Sequence, residues 1–415
     1  MNSRLAWRVL IFAAIAYLVS VTQRTSLGVA GIEASERFDT TAVQLSYLAV
    51  FQLVVYASMQ VPVGLLLDRY GSRRLIALGA ILMAIGQLLV AVAPVLSLAI
   101  IGRGVLGLGD AFTFISVLRL VHTWFDAKKS AILQQYVGNI GQLGQIASAI
   151  PFAYFLGISG WTNAFLALAS LSALIAALSW LLIQDRVQNS EHKNLSWKQA
   201  ISELRGTIGQ SGTRMSFWVH FTAQPTPVTF GLLWGVPFMV QAQGFEPWIA
   251  SAGLTFMVLW GIIAGGIIGP LSARHPKYRR RIVITQMLVI FVTWGAVLIY
   301  PAPIPLWLLI VLLIAITPGG PVSFLAFEYS AQLIPEQKRG AANGFINTGG
   351  FFAGLLIIFI VGLGLDFALA SGISESRFSI EGFRIAMMGQ GLILLVGLVM
   401  FLRENAKTQL ALKEE

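Results

Sequence analysis

The stretch Gly64-Leu65-Leu66-Leu67-Asp68-Arg69-Tyr70-Gly71-Ser72-Arg73-Arg74 places one carboxylate and three guanidinium groups within eleven residues. Long apolar runs flank it on both sides, so these charges are expected to lie outside a hydrocarbon layer. One helix therefore ends here and another begins. Gly71 suits the tight connection, because glycine reverses the chain without steric cost. Short loops rich in arginine stay on the cytoplasmic side of a membrane, which predicts the orientation of the chain.

The composition is typical of an integral membrane protein. Hydrophobic residues make up 56% of the chain and charged residues 11%, whereas soluble domains contain roughly 25% charged residues. A chain of 415 residues accommodates twelve spans of about 20 apolar residues each. The absence of cysteine excludes disulfides, thiolate metal sites and thiol nucleophiles. We therefore expect an all-α membrane protein with twelve transmembrane helices in two six-helix bundles.

The longest polar stretch predicts where the two bundles divide. We expect a first bundle over residues 1–184, a cytoplasmic linker over residues 185–214 and a second bundle over residues 215–415. Within the linker, apolar residues recur at helical spacing, which predicts a short amphipathic helix on the inner membrane surface. The first apolar stretch, about Trp7 to Gly31, is too long for a cleavable signal peptide and is interpreted as the first span.

The basic residues support one topology. With both termini in the cytoplasm, Lys and Arg concentrate in the predicted cytoplasmic segments, as the positive-inside rule requires. The exceptions among the 28 are Arg24, Arg37, Arg103, Arg119, Arg377 and Arg384. The net charge of +10 therefore reflects topology and contact with anionic membrane lipids rather than a nucleic-acid partner. We expect a monomeric multi-pass protein of the cytoplasmic membrane.

The opening stretch resembles the best-known signature of the major facilitator superfamily, G-x-L-x-D-R-x-G-x-R-R, found between the second and third membrane helices. Its spacing is complete here. The resemblance implies two six-helix repeats with a cavity between them and transport by alternating access. It also implies that the loop latches the cytoplasmic side while the cavity faces outward, with Asp68 set against a helix N-terminus, where the helix dipole favours negative charge. The predicted gating residues are Gly64, Asp68, Arg69, Gly71 and Arg73.

The second half of the chain repeats the first. The stretch Gly269–Arg274 lies 205 residues after Gly64 and repeats the loop in degraded form, with Ala273 in place of the acid. A second register, offset by 209 residues, matches Gly141 with Gly350. Two matched registers predict two structural repeats related by an axis along the membrane normal.

The predicted fourth helix carries Arg103 and Asp110. A charge at the centre of a bilayer is costly, so both side chains are expected to face a polar cavity or a partner. They lie two helical turns apart and share one face. This stretch is similar to a second superfamily signature, whose Arg is linked to proton coupling in proton-coupled members. A structural clamp on backbone carbonyls is the alternative role for Arg103.

Asp110-Ala111 followed by Phe114, Arg119 and Trp124-Phe125 resembles the fourth helix of the anion:cation symporter branch. That branch also has an Asp-Arg pair in its first helix, where this chain has Gln23-Arg24. Two arginines facing one cavity would bind a carboxylate, since a guanidinium presents a planar fork to two oxygens. Alternatively, each arginine is paired with an internal acid.

Glu328 is a candidate for such an acid, because it lies 209 residues after Arg119 and thus at the equivalent point of the other half. The two side chains would form a salt bridge that closes the cytoplasmic exit. Alternatively, Glu328 carries a proton together with Asp110, since burial makes the neutral form of an acid accessible.

Further polar residues inside predicted helices are candidates for substrate contact. For His220, a hydrogen-bonded interior histidine is the alternative. The candidates are Gln52, Tyr56, Tyr136, Gln142, His220, Gln224, Trp234, Asn343 and Asn347.

These observations predict a secondary transporter that moves a small organic anion with protons as the coupling ion. Efflux of amphipathic or lipophilic compounds is the alternative, and a non-transporting membrane sensor is a third possibility. No nucleotide motif, metal-ligand cluster or nucleophile–base set is found, so neither an enzyme nor a cofactor or metal site is expected.

Overall fold

The computed structural model describes residues 4–125, 127–185, 205–301 and 303–414. Every regular element within these ranges is helical. A helix satisfies its own backbone hydrogen bonds, which is what a chain needs in a layer without water. The predicted all-α membrane fold is confirmed for this part of the chain.

The first half contains seven α-helices and one π-helical turn among its described residues. Helix α4 contains a sharp reversal at Gly71, where φ is +78°, and α7 contains another at Gly160, where φ is +74°. The π-helical turn Ser148–Phe152 joins α6 to α7 at Pro151. The helices are α1 Arg4–Val29, α2 Gly31–Phe38, α3 Ala42–Ser58, α4 Gln60–Val92, α5 Leu96–Trp124, α6 Ala127–Ala147 and α7 Ala153–Leu182.

The second half follows the same pattern with more interruptions. Two π-helical turns, Phe230–Trp234 and Phe238–Ala242, occur where prolines remove backbone donors. A short 3₁₀ turn, Pro276–Tyr278, precedes α12. The helices are α8 Ser211–Ala223, α9 Pro225–Thr229, α10 Gly235–Pro237, α11 Pro247–Arg274, α12 Arg279–Ile299, α13 Leu306–Ile316, α14 Gly319–Ser323, α15 Leu325–Leu333, α16 Glu336–Ala370 and α17 Ile380–Glu414.

Nine segments of the described chain are long and apolar enough to cross a membrane. One of them, Tyr136–Leu182, has 47 residues and includes the reversal at Gly160, and Ala42–Ser58 is a further, shorter apolar helix. The chain is therefore an integral multi-pass membrane protein. The number of twelve spans fits these elements and stays a prediction.

The chain divides into two compact units. The first comprises Met1–Thr40 and Tyr47–Asn194, and the second comprises Thr41–Ser46 and Leu195–Glu415. The core of the first unit includes an alanine-rich face of α1, where small side chains let neighbouring helices approach closely. The core of the second unit includes Met215, Leu325 and Phe401. The boundaries of the predicted linker stay a prediction, since most of its predicted amphipathic helix lies outside the described residues.

Each unit contains a carboxylate that caps a helix. In the first, Asp185 accepts hydrogen bonds from the backbone N–H groups of Ser72 at 2.9 Å and Arg73 at 3.2 Å. In the second, Asp366 accepts from the N–H groups of Ala42 at 2.7 Å and Val43 at 2.9 Å. Carboxylates suit these positions because helix N-termini carry unpaired donors and a positive dipole end.

Candidate functional site

The first unit contains a buried ion pair between α1 and α5. Arg24 Nε lies 2.6 Å from Asp110 Oδ2, and Arg24 Nη2 lies 2.9 Å from Oδ1. Ser20, one turn before Arg24, donates to the same Oδ1 at 2.5 Å. The Asp110 side chain is 1% exposed and that of Arg24 is 19% exposed. The carboxylate of this pair is thus almost fully buried, whereas part of the Arg24 side chain remains accessible.

Tyr56 of α3 holds the guanidinium from a second direction. The Cζ atom of Arg24 lies 4.8 Å from the centroid of the Tyr56 ring. A cation over an aromatic face is stabilised by the ring quadrupole, and more so where water is excluded. Because the Tyr56 ring is itself buried, it keeps the guanidinium plane in one orientation.

Arg103 ties α5 to α1 and α3. Its Nη2 donates to the Arg24 carbonyl at 2.9 Å and to Gln52 Oε1, and its Nη1 donates to Ser26 Oγ at 3.2 Å. The residue is 1% exposed. These are the contacts of a clamp that fixes the backbone at Arg24, which is the structural alternative that the sequence left open for Arg103.

Gln23 is held in a network of neutral groups. Its Nε2 donates to the Leu168 carbonyl at 2.8 Å and to Ser172 Oγ at 2.7 Å, both on α7. Its Oε1 accepts from Gln87 Nε2 at 2.7 Å. An amide supplies the donor and the acceptor that this network needs and carries no charge. This network fixes α1 on the side away from Asp110.

Sequence reasoning did not select Ser20, Gln87 or Ser172. A signal was present for two of them: Ser20 lies one turn before Arg24 on the same helical face, and Gln87 interrupts an otherwise apolar run. Serines and glutamines inside spans are frequent, however, and only the fold shows which of them meet.

Arg119 lies on α5, half-buried, nine residues beyond Asp110. At a rise of 1.5 Å per residue, about 13 Å of helix separate the two positions. The structure therefore joins Arg24 to Asp110 rather than to Arg119. A substrate site that includes both arginines stays a prediction.

Glu328 has its partners in the second unit. Its Oε1 accepts from Ser272 Oγ at 2.7 Å, and its Oε2 lies 2.8 Å from Arg279 Nε. Arg279 also donates from Nη1 to Gln332 Oε1 at 3.0 Å. The glutamate side chain is 27% exposed, so this ion pair lies closer to solvent than the one at Arg24. A pair with Arg119 stays a prediction, but both oxygens of Glu328 are already engaged here.

His220 is an acceptor in the second unit. Its Nδ1 accepts the backbone N–H of Gly350 at 2.9 Å, and its ring packs edge-on against Phe327. This hydrogen bond needs a lone pair on Nδ1, so the imidazole is neutral in this arrangement. The contacts correspond to the interior-histidine alternative.

The remaining candidates of the second unit are mostly engaged in its core. Gln224 Oε1 accepts from Ser323 at 2.7 Å, and Asn343 Oδ1 accepts from Ser330 at 2.6 Å. Two further candidates have these positions: Trp234 is buried and its indole N–H donates to the Ile358 carbonyl at 3.0 Å, and Asn347 is half-buried on α16.

Two candidates lie on the more exposed α6. Tyr136 is 60% exposed. Gln142 is exposed as well, and its Oε1 accepts from Gln145, one turn further along. The structure brings neither of them to Arg24 or Asp110.

The predicted gating loop is a helix reversal capped by Asp185. A Cβ atom on Gly71 would lie 2.5 Å from Asp185 Oδ2, so the cap requires glycine here both for its positive φ and for space. The guanidinium of Arg73 lies 4.6 Å over the Trp180 ring, and that of Arg69 lies 5.4 Å over the Tyr70 ring. Gly64 and Asp68 lie in α4, and their side-chain environment is outside the described part of the structure.

The sequence profile described as Major Facilitator Superfamily matches residues 13–358. The chain belongs to the Major Facilitator Superfamily. It is a transporter and not an enzyme, and the predicted resemblance is confirmed.

Relatives and solved structures agree with this assignment. The chain is 24% identical over 385 residues to the hexuronate transporter of Escherichia coli (strain K12), covering 86% of this chain and 87% of the relative. It is 21% identical over 393 residues to the probable sulfoacetate transporter SauU of Cupriavidus necator, covering 90% and 89%. A bacterial homolog of the human lysosomal transporter Spinster, solved in an inward-facing and unoccupied conformation, superposes with a TM-score of 0.78 at 14% identity, covering 97% and 98%.

Proposed function

We propose that this transporter moves a small organic anion bearing a carboxylate, coupled to protons, by alternating access. The observation that carries the proposal is the unequal burial of the Arg24–Asp110 pair. Asp110 is 1% exposed, whereas 19% of the Arg24 side chain is accessible. A guanidinium has five donors, so a substrate carboxylate that reaches the accessible part of Arg24 can compete with Asp110 for them.

The same geometry supports coupling to protons. Asp110 and a substrate carboxylate are alternative partners for the Arg24 guanidinium. Protonation of Asp110 removes its negative charge and frees Nε and Nη2, which then offer two parallel donors to the substrate. Loss of that proton restores the internal pair and expels the anion. Proton and anion therefore bind in the same half of the cycle, as in symport.

Two neighbours keep Arg24 in place during this exchange. Tyr56 contacts the guanidinium face and needs no negative charge to do so. Arg103 holds the backbone carbonyl of Arg24 at 2.9 Å and makes no contact with Asp110 that the exchange would break. The side chain can change partners while its helix remains fixed.

The relatives support an anionic substrate. Their names specify hexuronate, sulfoacetate and, for GarP of Escherichia coli (strain K12), galactarate or D-glucarate. Each of these compounds carries at least one carboxylate. We place the protein in the cytoplasmic membrane with both termini inside, because the basic residues of the sequence concentrate on that side.

The test measures proton-driven uptake of a carboxylate substrate into liposomes that contain the Arg24→Lys variant. Lysine keeps the positive charge but lacks the planar guanidinium. We expect the substrate concentration at half-maximal uptake to rise at least tenfold, equivalent to about 1.4 kcal/mol. Arg37→Lys is the matched control, since Arg37 donates to the Ala93 carbonyl away from the pair. It should transport like the unmodified protein.

The substrate itself is found by thermal shift of the purified protein against hexuronates, aldarates, sulfoacetate and lipophilic cations. A ligand that binds the folded state raises the melting temperature by mass action. Stabilisation by carboxylates that is lost in Arg24→Lys supports the proposal. Stabilisation by lipophilic cations alone, unchanged in that variant, contradicts it and favours efflux of amphipathic compounds.

A further inference from the structure

A groove of about 340 Å³ lies on the second unit where α11 ends and α12 begins. It is open on one side, and its wall combines apolar side chains with a few polar ones. The lining residues are Ile268, Leu271, Tyr278, Arg281, Ile282, Thr285, Gln286, Val289 and Val322.

The groove changes from polar to apolar along α12. Arg281, Thr285 and Val289 follow one another at spacing four on one helical face and so cover about 12 Å of helix. Beyond Val289, which is 41% exposed, Val292 is 71% exposed. In a multi-pass membrane protein, such exposed apolar surface faces the acyl chains of the bilayer.

The polar end is strongly basic. The segment from Arg274 to Arg281 contains five Lys or Arg residues, and the sequence has no Asp or Glu between Glu246 and Glu328. Glu328 is engaged by Arg279 at 2.8 Å. Within the described residues, Arg281 forms no ion pair, and its guanidinium lies 5.7 Å over the Tyr278 ring. Its positive charge thus remains uncompensated at the mouth of the groove.

We propose that this groove binds an anionic phospholipid of the surrounding membrane. The phosphodiester lies at Arg281, whose planar fork matches two phosphate oxygens, with the Tyr278 hydroxyl beside it. The glycerol ester region lies at Thr285. One acyl chain follows Ile282, Val289 and Leu271 into the hydrocarbon layer. Basic pockets between membrane helices on the cytoplasmic side suit anionic headgroups for the same electrostatic reason.

The order of groups in the groove distinguishes a lipid from a free phosphate. A soluble phosphate needs only the basic end, whereas the apolar wall extends two helical turns beyond Arg281. Burying an acyl chain there adds affinity that a headgroup alone lacks. The proposal therefore requires both ends of the groove.

The test is thermal unfolding of the purified full chain in a neutral detergent with increasing phosphatidylglycerol or phosphatidylcholine. We expect phosphatidylglycerol to raise the melting temperature at a concentration at least tenfold below phosphatidylcholine. Arg281→Gln should raise the concentration for half the effect at least tenfold. Val289→Trp, which fills the apolar part, should do the same.

Arg280→Gln is the matched control, because Arg280 is equally exposed but does not line the groove. It should respond to phosphatidylglycerol like the unmodified chain. Three results would overturn the proposal: an equal response to both lipids, an unchanged response in Arg281→Gln, or equal stabilisation by water-soluble glycerol phosphate.

Discussion

The first unit buries a charged pair in mid-helix, whereas the buried polar candidates described in the second unit are neutral. Arg24 and Asp110 meet at 2.6 Å with the acid almost fully sealed. In the second unit, His220 and Gln224 are held by hydrogen bonds to Gly350 and Ser323. Its ion pair of Arg279 and Glu328 is partly exposed. The two units thus differ in their buried polar groups, with an ion pair in the first and hydrogen-bonded neutral side chains in the second.

The aromatic content sharpens this contrast. Phe217 stacks on Phe345 with centroids 4.7 Å apart, and Trp218 packs edge-on against Phe221 at 4.9 Å. These rings give the second unit a largely apolar interior beside its neutral polar groups.

The largest expected effect is at Arg24. Arg24→Ala leaves the buried Asp110 carboxylate with the Ser20 hydrogen bond but without a counter-charge, and removing one member of a buried pair costs about 3–5 kcal/mol. Anion uptake into liposomes should be abolished and the melting temperature should fall by about 10 °C. Arg279→Ala is the comparison in the second unit: because Glu328 is 27% exposed, the cost there should be about 1 kcal/mol. Equal losses in both variants would show that the two pairs are equivalent.

The second effect distinguishes the role of Asp110 in proton coupling from that of Glu328. Asp110→Asn mimics the protonated acid, so anion exchange should persist while uptake loses its dependence on an inward proton gradient, by tenfold or more. Glu328→Gln should keep that dependence, because its partners Ser272 and Arg279 are unlike the Arg24 site. Uptake by both variants is measured between pH 5.5 and 8. A flat pH profile in Glu328→Gln alone would move the coupling to the second unit.

The third effect concerns Arg103, which ties α5 to α1 and α3. Arg103→Gln removes the donors to the Arg24 carbonyl, Ser26 and Gln52. Ser26 Oγ keeps its hydrogen bonds with Gln87 and Gln23, so the main loss is at Gln52 Oε1, where an unpaired buried acceptor costs about 1–3 kcal/mol. We expect a clearly lower melting temperature together with weaker substrate binding. Arg103→Lys tests whether charge alone suffices, and it should recover little, since one ammonium cannot reach three acceptors in the same geometry.

The smallest loss of stability is expected at two glycines that have a positive φ. Gly71→Ala meets both a φ of +78° and the carboxylate of Asp185, whereas Gly372→Ala meets a φ of +70° with nothing within 4 Å. Left-handed backbone costs a non-glycine residue about 1–2 kcal/mol. Both variants should lose that amount, and Gly71→Ala should lose more because it displaces the cap. Identical melting temperatures would mean that Asp185 moves aside freely.

Much of the fold was predictable because its signals are local. Apolar runs, the charges around Gly71 and the position of arginines are read directly from the sequence, and the reversal at Gly71 is observed with φ +78°. The family followed from the spacing of that one loop. The sequence places Asp185 at the start of the predicted linker. Nothing in its neighbouring residues indicates that it caps the helix segment that begins at Ser72, more than 100 residues earlier.

The site was predictable only in part. Arg24, Asp110 and Arg103 were selected because charges in spans need partners, but which of them pair depends on how the helices rotate. The repeat offset matched Arg119 with Glu328, and an offset gives equivalent positions without giving contacts. The structure shows Glu328 with Arg279, 49 residues earlier in the same unit, and the pair of Glu328 with Arg119 stays a prediction.

The amide at Gln23 determines how the membrane voltage acts on the protein. The network of Arg24, Arg103 and Asp110 carries one net positive charge, because no second acid joins it at position 23. In the proposed cycle the substrate monoanion binds together with the proton on Asp110, so the loaded network and the empty network both carry one positive charge. An elementary charge that crosses the full potential gains or loses about 2.3 kcal/mol per 100 mV. The loaded and the empty steps of the proposed cycle would therefore move equal charge in opposite directions, and a transmembrane voltage would add no net driving force to the uptake of a monoanion.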